Sequence, residues 1–269
     1  MKSILLHVND DEGLESRLLA ALAVALQQRG NLSCIQVTPV SDYVATDPFG
    51  GVYEMQTLFE NLAERALETR VRIEARLTKQ NVEWDWSVYD EGVAASVVSR
   101  SRLADLIVLS LVDQTASKSV KPMPLVADVS IHSRTPVLAV PHAGPTFDPA
   151  GVAMIAWNGS PEAAHAVRGA LPLLKMASAV QVISFDEDQS FPMADVRRYL
   201  AGHGVTTGCN EHKLDGQTTG EAICRISTTL SAAYIVMGAY GHTRFREAVL
   251  GGVSRHMLAH SRIPLLLAH

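Results

Sequence analysis

The residues best suited to chemistry in this sequence are four glycines in one stretch near the C-terminus. Gly238 and Gly241 directly follow the apolar run Tyr234–Met237. Gly251 and Gly252 then precede a segment with helical character. A glycine lets backbone N–H groups approach an anion without a Cβ in the way, and a helix N-terminus adds unpaired N–H groups and the positive end of the helix dipole. A strand, a glycine loop and a helix in this order are typical of a phosphate-binding site.

The same glycines also have a simpler interpretation. Gly238 can merely end a strand and Gly251 can merely start a helix, as glycines in α/β loops often do. The spacing matches neither G-x-x-x-x-G-K-[ST] nor G-x-G-x-x-G. The pattern alone therefore leaves phosphate binding and chain turning both open.

The composition describes a globular protein with a substantial core. The chain has 269 residues, of which 47% are hydrophobic and 19% charged, so it allows one large or two ordinary domains. A net charge of −5 gives no electrostatic basis for binding nucleic acid or an anionic membrane. No apolar run has the length of a membrane span, and the three cysteines share no C-x-x-C spacing, which favours reduced thiols. We expect a cytoplasmic protein that binds neither nucleic acid nor membrane.

Apolar runs that alternate with helical patterns predict a doubly wound, parallel α/β sheet. The predicted strands of the first half are Ile4–Val8, Leu32–Val37, Val82–Tyr89, Leu106–Leu111 and Pro136–Val140. The predicted helices between them are Leu14–Gln28, about Glu54–Lys79, Val93–Leu103 and Leu125–His132. After a proline-rich linker the order begins again with a strand at Val152–Trp157, a helix at Pro161–Leu174 and a strand at Ala179–Phe185.

The second half repeats the first. Residues 92–140 align without a gap on residues 220–268, so that ADLIVLS (104–110) faces AAYIVMG (232–238). Asn9 and Asn158 occupy matching strand ends in the two copies. A repeat of this length indicates a duplicated unit. We predict one domain at residues 1–141 and another at residues 151–269.

The glycines of the candidate phosphate site are absent from the first copy. The residues opposite Gly238, Gly241, Gly251 and Gly252 are Ser110, Asp113, Met123 and Pro124, respectively. If the glycines were needed only to turn the chain, the first copy would need them too. The comparison therefore favours an anion site in the second copy and a degenerate structural role for the first.

On these residues the sequence resembles the tandem universal stress proteins of the UspA-like superfamily, over almost the whole chain. ATP-binding members of that family carry G-x2-G-x9-G-[ST] between the fourth strand and the last helix, and Gly238, Gly241 and Gly251 fit this spacing. The resemblance implies two Rossmann-like (adenine nucleotide alpha hydrolase-like) sheets of strand order 3-2-1-4-5. It also implies that the copies pack as an intramolecular pseudo-dimer through their last strands, and that two chains can associate into a homodimer.

The resemblance further implies where an adenine nucleotide (ATP, ADP or AMP) would bind, across the carboxyl ends of the first and fourth strands of the second copy. The candidate residues are Ala156, Asn158 and Phe185 near the base, Gly238 and Gly241 near the ribose and first phosphates, and Gly251, Gly252 and Val253 near the last phosphates, with Met237 and Ser254 as further candidates beside them. Asn158 stands where the family usually has an acidic residue that contacts the adenine, and an amide can both donate and accept. Gly252 replaces the final Ser/Thr of the motif, and Ser254 can substitute as a helix cap.

Other chemical groups have plainer interpretations. His256 and His260 lie four residues apart on a predicted helix and could share a metal, but a role at the helix C-terminus is favoured because no third ligand is evident. The acidic run Asp186–Asp188 could hold Mg²⁺ bound to nucleotide phosphates, although a solvated loop is favoured. Arg244 and Arg246 could neutralise phosphate charge or simply face solvent. No catalytic set of residues can be assembled.

The sequence thus predicts a cytoplasmic stress-response protein that binds ATP or another adenine nucleotide in its C-terminal domain and is non-catalytic or at most weakly hydrolytic. The alternative is a scaffold of the same fold that binds proteins and no nucleotide. A third interpretation is an enzyme that acts on an adenylate. Nucleotide binding separates the first two, and steady phosphate release would favour the third.

Overall fold

A computed structural model describes residues 1–38, 52–90, 92–111, 124–185, 191–241 and 252–269, with side chains from residue 59 onward in the second range. The strands are β1 (Ser3–Val8), β2 (Asn31–Val37), β3 (Glu83–Tyr89), β4 (Leu106–Leu111), β5 (Val137–Pro141), β6 (Val152–Ala156), β7 (Ala179–Phe185), β8 (Thr207–His212), β9 (Tyr234–Gly238) and β10 (Leu265–Ala268). The helices are α1 (Leu14–Gln28), α2 (Val52–Leu77), α3 (Val93–Arg100), α4 (Leu125–His132), α5 (Pro161–Leu174), α6 (Met193–Gly202), α7 (Thr219–Thr229) and α8 (Gly252–His260).

The strands form one ten-stranded sheet in the order β3-β2-β1-β4-β5-β10-β9-β6-β7-β8. Each half has the predicted order 3-2-1-4-5, and within each half neighbouring strands are parallel. The halves meet where β5 and β10 pair antiparallel, with Leu138 opposite Leu266. The predicted Rossmann-like α/β fold is confirmed, whereas the exact domain limits stay a prediction.

The central strands of the sheet are buried on both faces, as the strands of parallel sheets generally are. Because neighbouring side chains in a strand point to opposite faces, Ile4 and Leu6 of β1 join one apolar cluster and Leu5 joins the other. Both clusters continue into the second half of the chain. The central strands are therefore rigidly held, and their carboxyl ends provide a fixed base for a site.

The positions of the elements match the repeat found in the sequence. Leu106 and Tyr234, which the alignment places opposite each other, begin β4 and β9. Val137 and Leu265, also aligned, begin β5 and β10. Several boundaries differ from the prediction by one or two residues. The largest difference is in α3, which ends at Arg100, with a 3₁₀ turn that continues through Leu103. Among the described residues, no helix has both the length and the apolar character needed to cross a membrane.

Candidate functional site

The predicted site residues of the second half surround one cavity of about 330 Å³ at the carboxyl ends of β6, β7 and β9. Its predicted lining residues are Ala156, Asn158, Phe185, Met237, Gly238, Gly241, Gly252, Val253 and Ser254. Gly251 lies outside the described residues, as do Arg244, Arg246 and residues 186–188. The cavity is also lined by residues that the sequence did not indicate, namely Trp157, Ser160, Thr219, Ile223 and Tyr240.

Close packing requires glycine at position 238 but not at position 241. A Cβ on Gly238 would lie 2.5 Å from the backbone nitrogen of Ala163, and one on Gly241 would lie 2.7 Å from Oε2 of Glu162. Both distances are too short for real atoms, but Oε2 is the end of a flexible side chain that can move aside, whereas the backbone nitrogen cannot. The glycine loop therefore crosses directly over the N-terminus of α5, and a side chain at Gly238 would push the two apart.

In the first half, the end of β4 crosses over the N-terminus of α1 in the same way, but here the glycine lies at the start of the helix and not at the end of the strand. Ser110, which aligns with Gly238, faces Gly13, and a Cβ on Gly13 would collide with its Oγ. Gly13 follows Asn9 by four residues, as Glu162 follows Asn158. A glycine is thus needed at this crossing in both copies, and the absence of Gly238 from the first copy has this packing explanation. The role of Gly238 in binding an anion stays a prediction.

Gly252 differs from Gly238 because no described residue packs against it. A Cβ built there meets no heavy atom of the described residues within 4 Å, and the residue is exposed at the first position of α8. The described part of the chain therefore gives no steric reason for glycine at this position. A glycine here also adds no side chain between the start of α8 and the cavity that it lines.

Three helices begin at this cavity. Ser160 caps α5 and accepts a 3.1 Å hydrogen bond from the backbone nitrogen of Ala163. Thr219 is the first residue of α7, and Gly252 is the first residue of α8. All three residues line the cavity. Since each helix N-terminus carries partial positive charge, their convergence favours an anionic ligand.

Ser254 does not cap α8 as the sequence suggested, because it lies inside the helix. Its Oγ accepts a 3.2 Å hydrogen bond from the backbone nitrogen of Tyr240. Tyr240 has a φ of 59°, a left-handed conformation that is uncommon for a residue with a side chain. The residue aligned with Ser254 is Val126, which has no hydroxyl. This hydrogen bond therefore links the glycine loop of the second half, at Tyr240, to the first turn of α8.

The opposite end of the cavity is apolar except for one amide. Ala156 pairs with Ile183 of β7 and with Met237 of β9, and two residues further along, Asn158 and Phe185 lie at the ends of β6 and β7. Oδ1 of Asn158 accepts a 3.2 Å hydrogen bond from the backbone nitrogen of Ser160. The cavity thus combines an apolar wall at β6 and β7 with helix N-termini near β9.

The corresponding region of the first half is filled by the chain itself. Arg17 is only 2% exposed. Its guanidinium donates to the carbonyl oxygens of His7 and Asn9, to both carboxylate oxygens of Asp11 and to Oγ of Ser110, over distances of 2.6–3.1 Å. Ser110 is the residue aligned with Gly238. Ser110 is thus held by a buried cation, whereas its counterpart Gly238 lines the cavity of the second half. The degenerate role of the first half stays a prediction.

His7 lies in the same cluster, at the position that matches Ala156 in the second half. Its Nε2 is buried and has no hydrogen-bond partner among the residues that the structure describes. Burial, with a smaller contribution from the Arg17 guanidinium, lowers the pKa of His7 from 6.5 to about 4, and the Asp11 carboxylate only partly opposes this. The imidazole is therefore neutral when the protein is folded at neutral pH.

We expect acid to destabilise the protein through His7. The unfolded chain takes up this proton near pH 6.5 and the folded chain only near pH 4, so the stabilising contribution is complete above the first value and is lost as the pH falls towards the second. Between pH 7 and pH 5, the free energy of unfolding should fall by about 2 kcal/mol more in the wild type than in His7→Leu. Urea denaturation at both pH values measures this, and an equal fall in the two proteins would contradict it.

His256 and His260 stack on each other at the end of α8, with ring centroids 4.4 Å apart. Nδ1 of His260 lies 3.0 Å from the carbonyl oxygen of His256. In the described ranges, no group of three or more His, Cys, Asp or Glu residues is placed to hold a metal ion. The two rings are thus engaged with each other and with the helix end.

Comparison with known proteins agrees with this architecture. The model of the Universal stress protein family matches residues 152–269. The solved structure of a universal stress protein from Archaeoglobus fulgidus DSM 4304 is similar, with a TM-score of 0.74 and 15% identity, over 99% of this chain and 96% of that one. A putative universal stress protein from Pseudomonas aeruginosa UCBPP-PA14 has a TM-score of 0.61 and 17% identity, over 100% of this chain and 93% of that one. At these identities the two structures support the fold alone. Among curated proteins, none matches the sequence.

Proposed function

We propose that the second half of this chain, whose residues 152–269 match the universal stress protein family, binds ATP or another adenine nucleotide. We also propose that it does so without efficient catalysis. The observation that carries this proposal is the convergence of three helix N-termini on one cavity with an apolar wall. A nucleotide combines the two chemistries that this cavity offers, since its base is flat and largely apolar and its phosphates are anionic.

The cavity suggests how the nucleotide would be oriented. The base would lie against Ala156 and Phe185 at the ends of β6 and β7, and the phosphates would lie at the start of α8, near Gly252 and Val253. The backbone N–H groups of α8 would then donate to phosphate oxygens. Ser254 would act indirectly, because its hydroxyl holds the loop at Tyr240.

We further propose binding without efficient hydrolysis, which stays a prediction from the sequence. Phosphoryl transfer relies on charged groups to clamp the phosphates and to orient the attacking water, and residues 242–251 next to the cavity lie outside the described residues. Mg²⁺ would accompany the phosphates and neutralise part of their charge. The protein that we propose is a nucleotide-dependent stress-response protein of the cytoplasm.

The first half would serve as a permanent partner for the second, with domain limits at residues 1–141 and 151–269. Without β5, strand β10 would be an exposed edge that invites unwanted strand pairing. A fused copy covers that edge at high effective concentration. This explains why a copy filled by Arg17 is retained in what we propose is an intramolecular pseudo-dimer, which can itself form a homodimer.

The alternative function is a protein-binding scaffold that holds no nucleotide. It is favoured by exposed apolar side chains on α2, where Leu67 is 61% and Val71 is 59% exposed one helical turn apart. Such a pair is suited to contact a partner, although two residues alone form only a small patch. The two functions are distinguished by titrating the protein with nucleotide, because the scaffold should bind none.

Isothermal titration calorimetry with ATP, ADP and AMP, each with and without Mg²⁺, tests the proposed function. We expect saturable binding of one nucleotide per chain and an affinity that rises with the number of phosphates, because the helix N-termini act on the phosphate end. Absence of binding for all three at tens of micromolar would favour the scaffold. Steady phosphate release from the purified protein would instead indicate an enzyme.

A further inference from the structure

One peptide group of the glycine loop, the group that joins Ala239 to Tyr240, is held on both sides by side chains from other parts of the chain. We infer that His269 and Ser254 are positioning residues for the proposed nucleotide site, because together they set the orientation of this peptide group. The inference rests on the proposed function, since the peptide belongs to the loop that lines the cavity.

The carbonyl side of this peptide is held by His269, which directly follows β10. Nδ1 of His269 lies 3.0 Å from the carbonyl oxygen of Ala239. A carbonyl oxygen only accepts hydrogen bonds, so Nδ1 carries the hydrogen and donates it. The main-chain oxygen of His269 in turn accepts a 2.7 Å hydrogen bond from Nδ1 of His165 on α5. The imidazole of His269 therefore reaches the loop from a backbone position that is itself fixed.

The N–H side of the same peptide is held by Ser254, in the first turn of α8. The backbone nitrogen of Tyr240 donates to Oγ of Ser254 over 3.2 Å. The N–H and the C=O of a planar trans peptide point in opposite directions, so the two side chains hold opposite edges of one rigid plane. The residue before this peptide is fixed by the sheet, because the nitrogen of Ala239 donates to the carbonyl oxygen of Ala268 over 2.8 Å. What the two side chains set is thus the rotation of the plane.

The conformation of Tyr240 explains why this rotation needs to be held. Tyr240 has a φ of 59°, in the left-handed region, which is unfavourable for a residue with a side chain. A flip of the peptide changes this φ by about 180° and brings it into the extended region that most residues favour. Loss of a hydrogen-bond partner on either side therefore raises the population of the flipped orientation.

The flipped orientation is unsuited to an anionic ligand. In the structure the N–H of Tyr240 faces Ser254, which lines the cavity together with Gly252 and Val253. A flipped peptide would aim the carbonyl oxygen of Ala239 towards this end of the cavity, where the proposed function places the phosphates. A carbonyl oxygen repels phosphate oxygens, whereas an N–H attracts them. A plane that is already held in the observed orientation thus reduces the free energy that the nucleotide must spend on ordering the loop.

The first half has neither of the two side chains. The residue aligned with Ser254 is Val126, and the alignment continued by one residue places Pro141 opposite His269. Neither valine nor proline has a side chain that forms hydrogen bonds. The pair of contacts therefore belongs to the half for which we propose binding and not to the fold that the two halves share.

The experiment measures ATP affinity by calorimetry in the wild type, in His269→Leu and in His269→Asn. Leucine removes the donor, whereas asparagine keeps one at the same distance from the backbone, because its Nδ2 is bonded to Cγ as Nδ1 of histidine is. We expect His269→Leu to bind ATP about five to ten times more weakly, the effect of one lost hydrogen bond. We expect His269→Asn to bind within about twofold of the wild type. Urea denaturation checks that both variants are folded.

Amide hydrogen exchange, measured by NMR without nucleotide, separates a positioning role from a general structural one. In His269→Leu the amide of Tyr240 should exchange faster than in the wild type and in His269→Asn. The amide of Ala239, which is bonded within the sheet, should exchange at the same rate in all three proteins. Unchanged exchange at Tyr240 in His269→Leu would overturn the inference.

The titrations distinguish failure of this inference from failure of the proposed function. If the wild type binds ATP and His269→Leu binds it equally well, the inference is overturned while the proposed function stands. Equal losses of affinity in the leucine and asparagine variants would also overturn it, because the donor would then not be what matters. If the wild type itself binds no ATP, the proposed function fails and the inference fails with it.

Discussion

Replacement of Gly252 by aspartate should reduce the affinity for ATP by about a hundredfold or more while the protein stays folded. Gly252 begins α8 at the proposed phosphate end of the cavity, and a Cβ there meets no heavy atom of the described residues within 4 Å. An acidic residue in the first turn of a helix stabilises the helix, so folding should not suffer. Its negative charge would occupy the place of the phosphates. Calorimetry with ATP measures the loss, and thermal unfolding checks the fold.

Two variants of the same residue serve as controls. Gly252→Asn has the size of aspartate without the charge, and we expect it to lose at most a small part of the affinity. Gly252→Ser adds the hydroxyl that the family motif has at this position and should bind ATP as tightly as the wild type or more tightly. Undiminished ATP binding by Gly252→Asp would exclude the start of α8 as the phosphate site.

Replacement of Arg17 by methionine should lower the free energy of unfolding by about 3–5 kcal/mol. The guanidinium is buried and donates to His7, Asn9, Asp11 and Ser110. Methionine has a similar length but no donor, so these acceptors lose their partner and the Asp11 carboxylate loses its counter-charge. Urea denaturation measures the change.

Arg72 provides the matched control for Arg17. It pairs with Asp10 over 2.6 Å, but the two side chains are 57% and 53% exposed, and exposed ion pairs contribute about 1 kcal/mol or less. Arg72→Met should therefore cost far less than Arg17→Met. If the two variants lost similar amounts of unfolding free energy, the buried Arg17 cluster would contribute no more to stability than an exposed ion pair. ATP affinity should be unchanged in both variants, because both arginines lie in the first half.

Much of the fold could be predicted because it depends on local pattern and on internal repetition. The alternation of apolar strands with helices defines a parallel sheet, and helix starts such as Ser160-Pro161 carry their own signals. The gapless match between the halves then extended this pattern to residues 220–268. The pairing of the last strands followed from the resemblance to a known family and is confirmed by the register of β5 and β10.

The contacts within the site were harder to predict because they join residues far apart in the chain. Thr219 and Ile223 reach the cavity from α7, and no motif marks them. The hydrogen bond between Ser254 and Tyr240 depends on a left-handed backbone conformation at a residue that is not glycine. The alignment of the two copies showed that Ser110 replaces Gly238, but the compensating Gly13 could be recognised only once both segments were seen to cross.

This exchange of glycines changes how the repeat should be interpreted. The two copies share one crossing of a loop over a helix N-terminus, and each places its single glycine on a different segment. What distinguishes the copies chemically is the content of the space beside that crossing. In the first half it holds Arg17 and Asp11, and in the second half it is a cavity lined by helix N-termini.

The central claim is that the second half alone binds the nucleotide, in the cavity between Asn158 and Gly252. The most direct measurement is a crystal structure of the full chain grown with ATP and Mg²⁺. We expect density for one nucleotide, with its base beside Phe185 and its phosphates at the start of α8. Density against Ser110 and Pro124 in the first half, or a cavity closed by side chains while nucleotide binds elsewhere, would contradict the account.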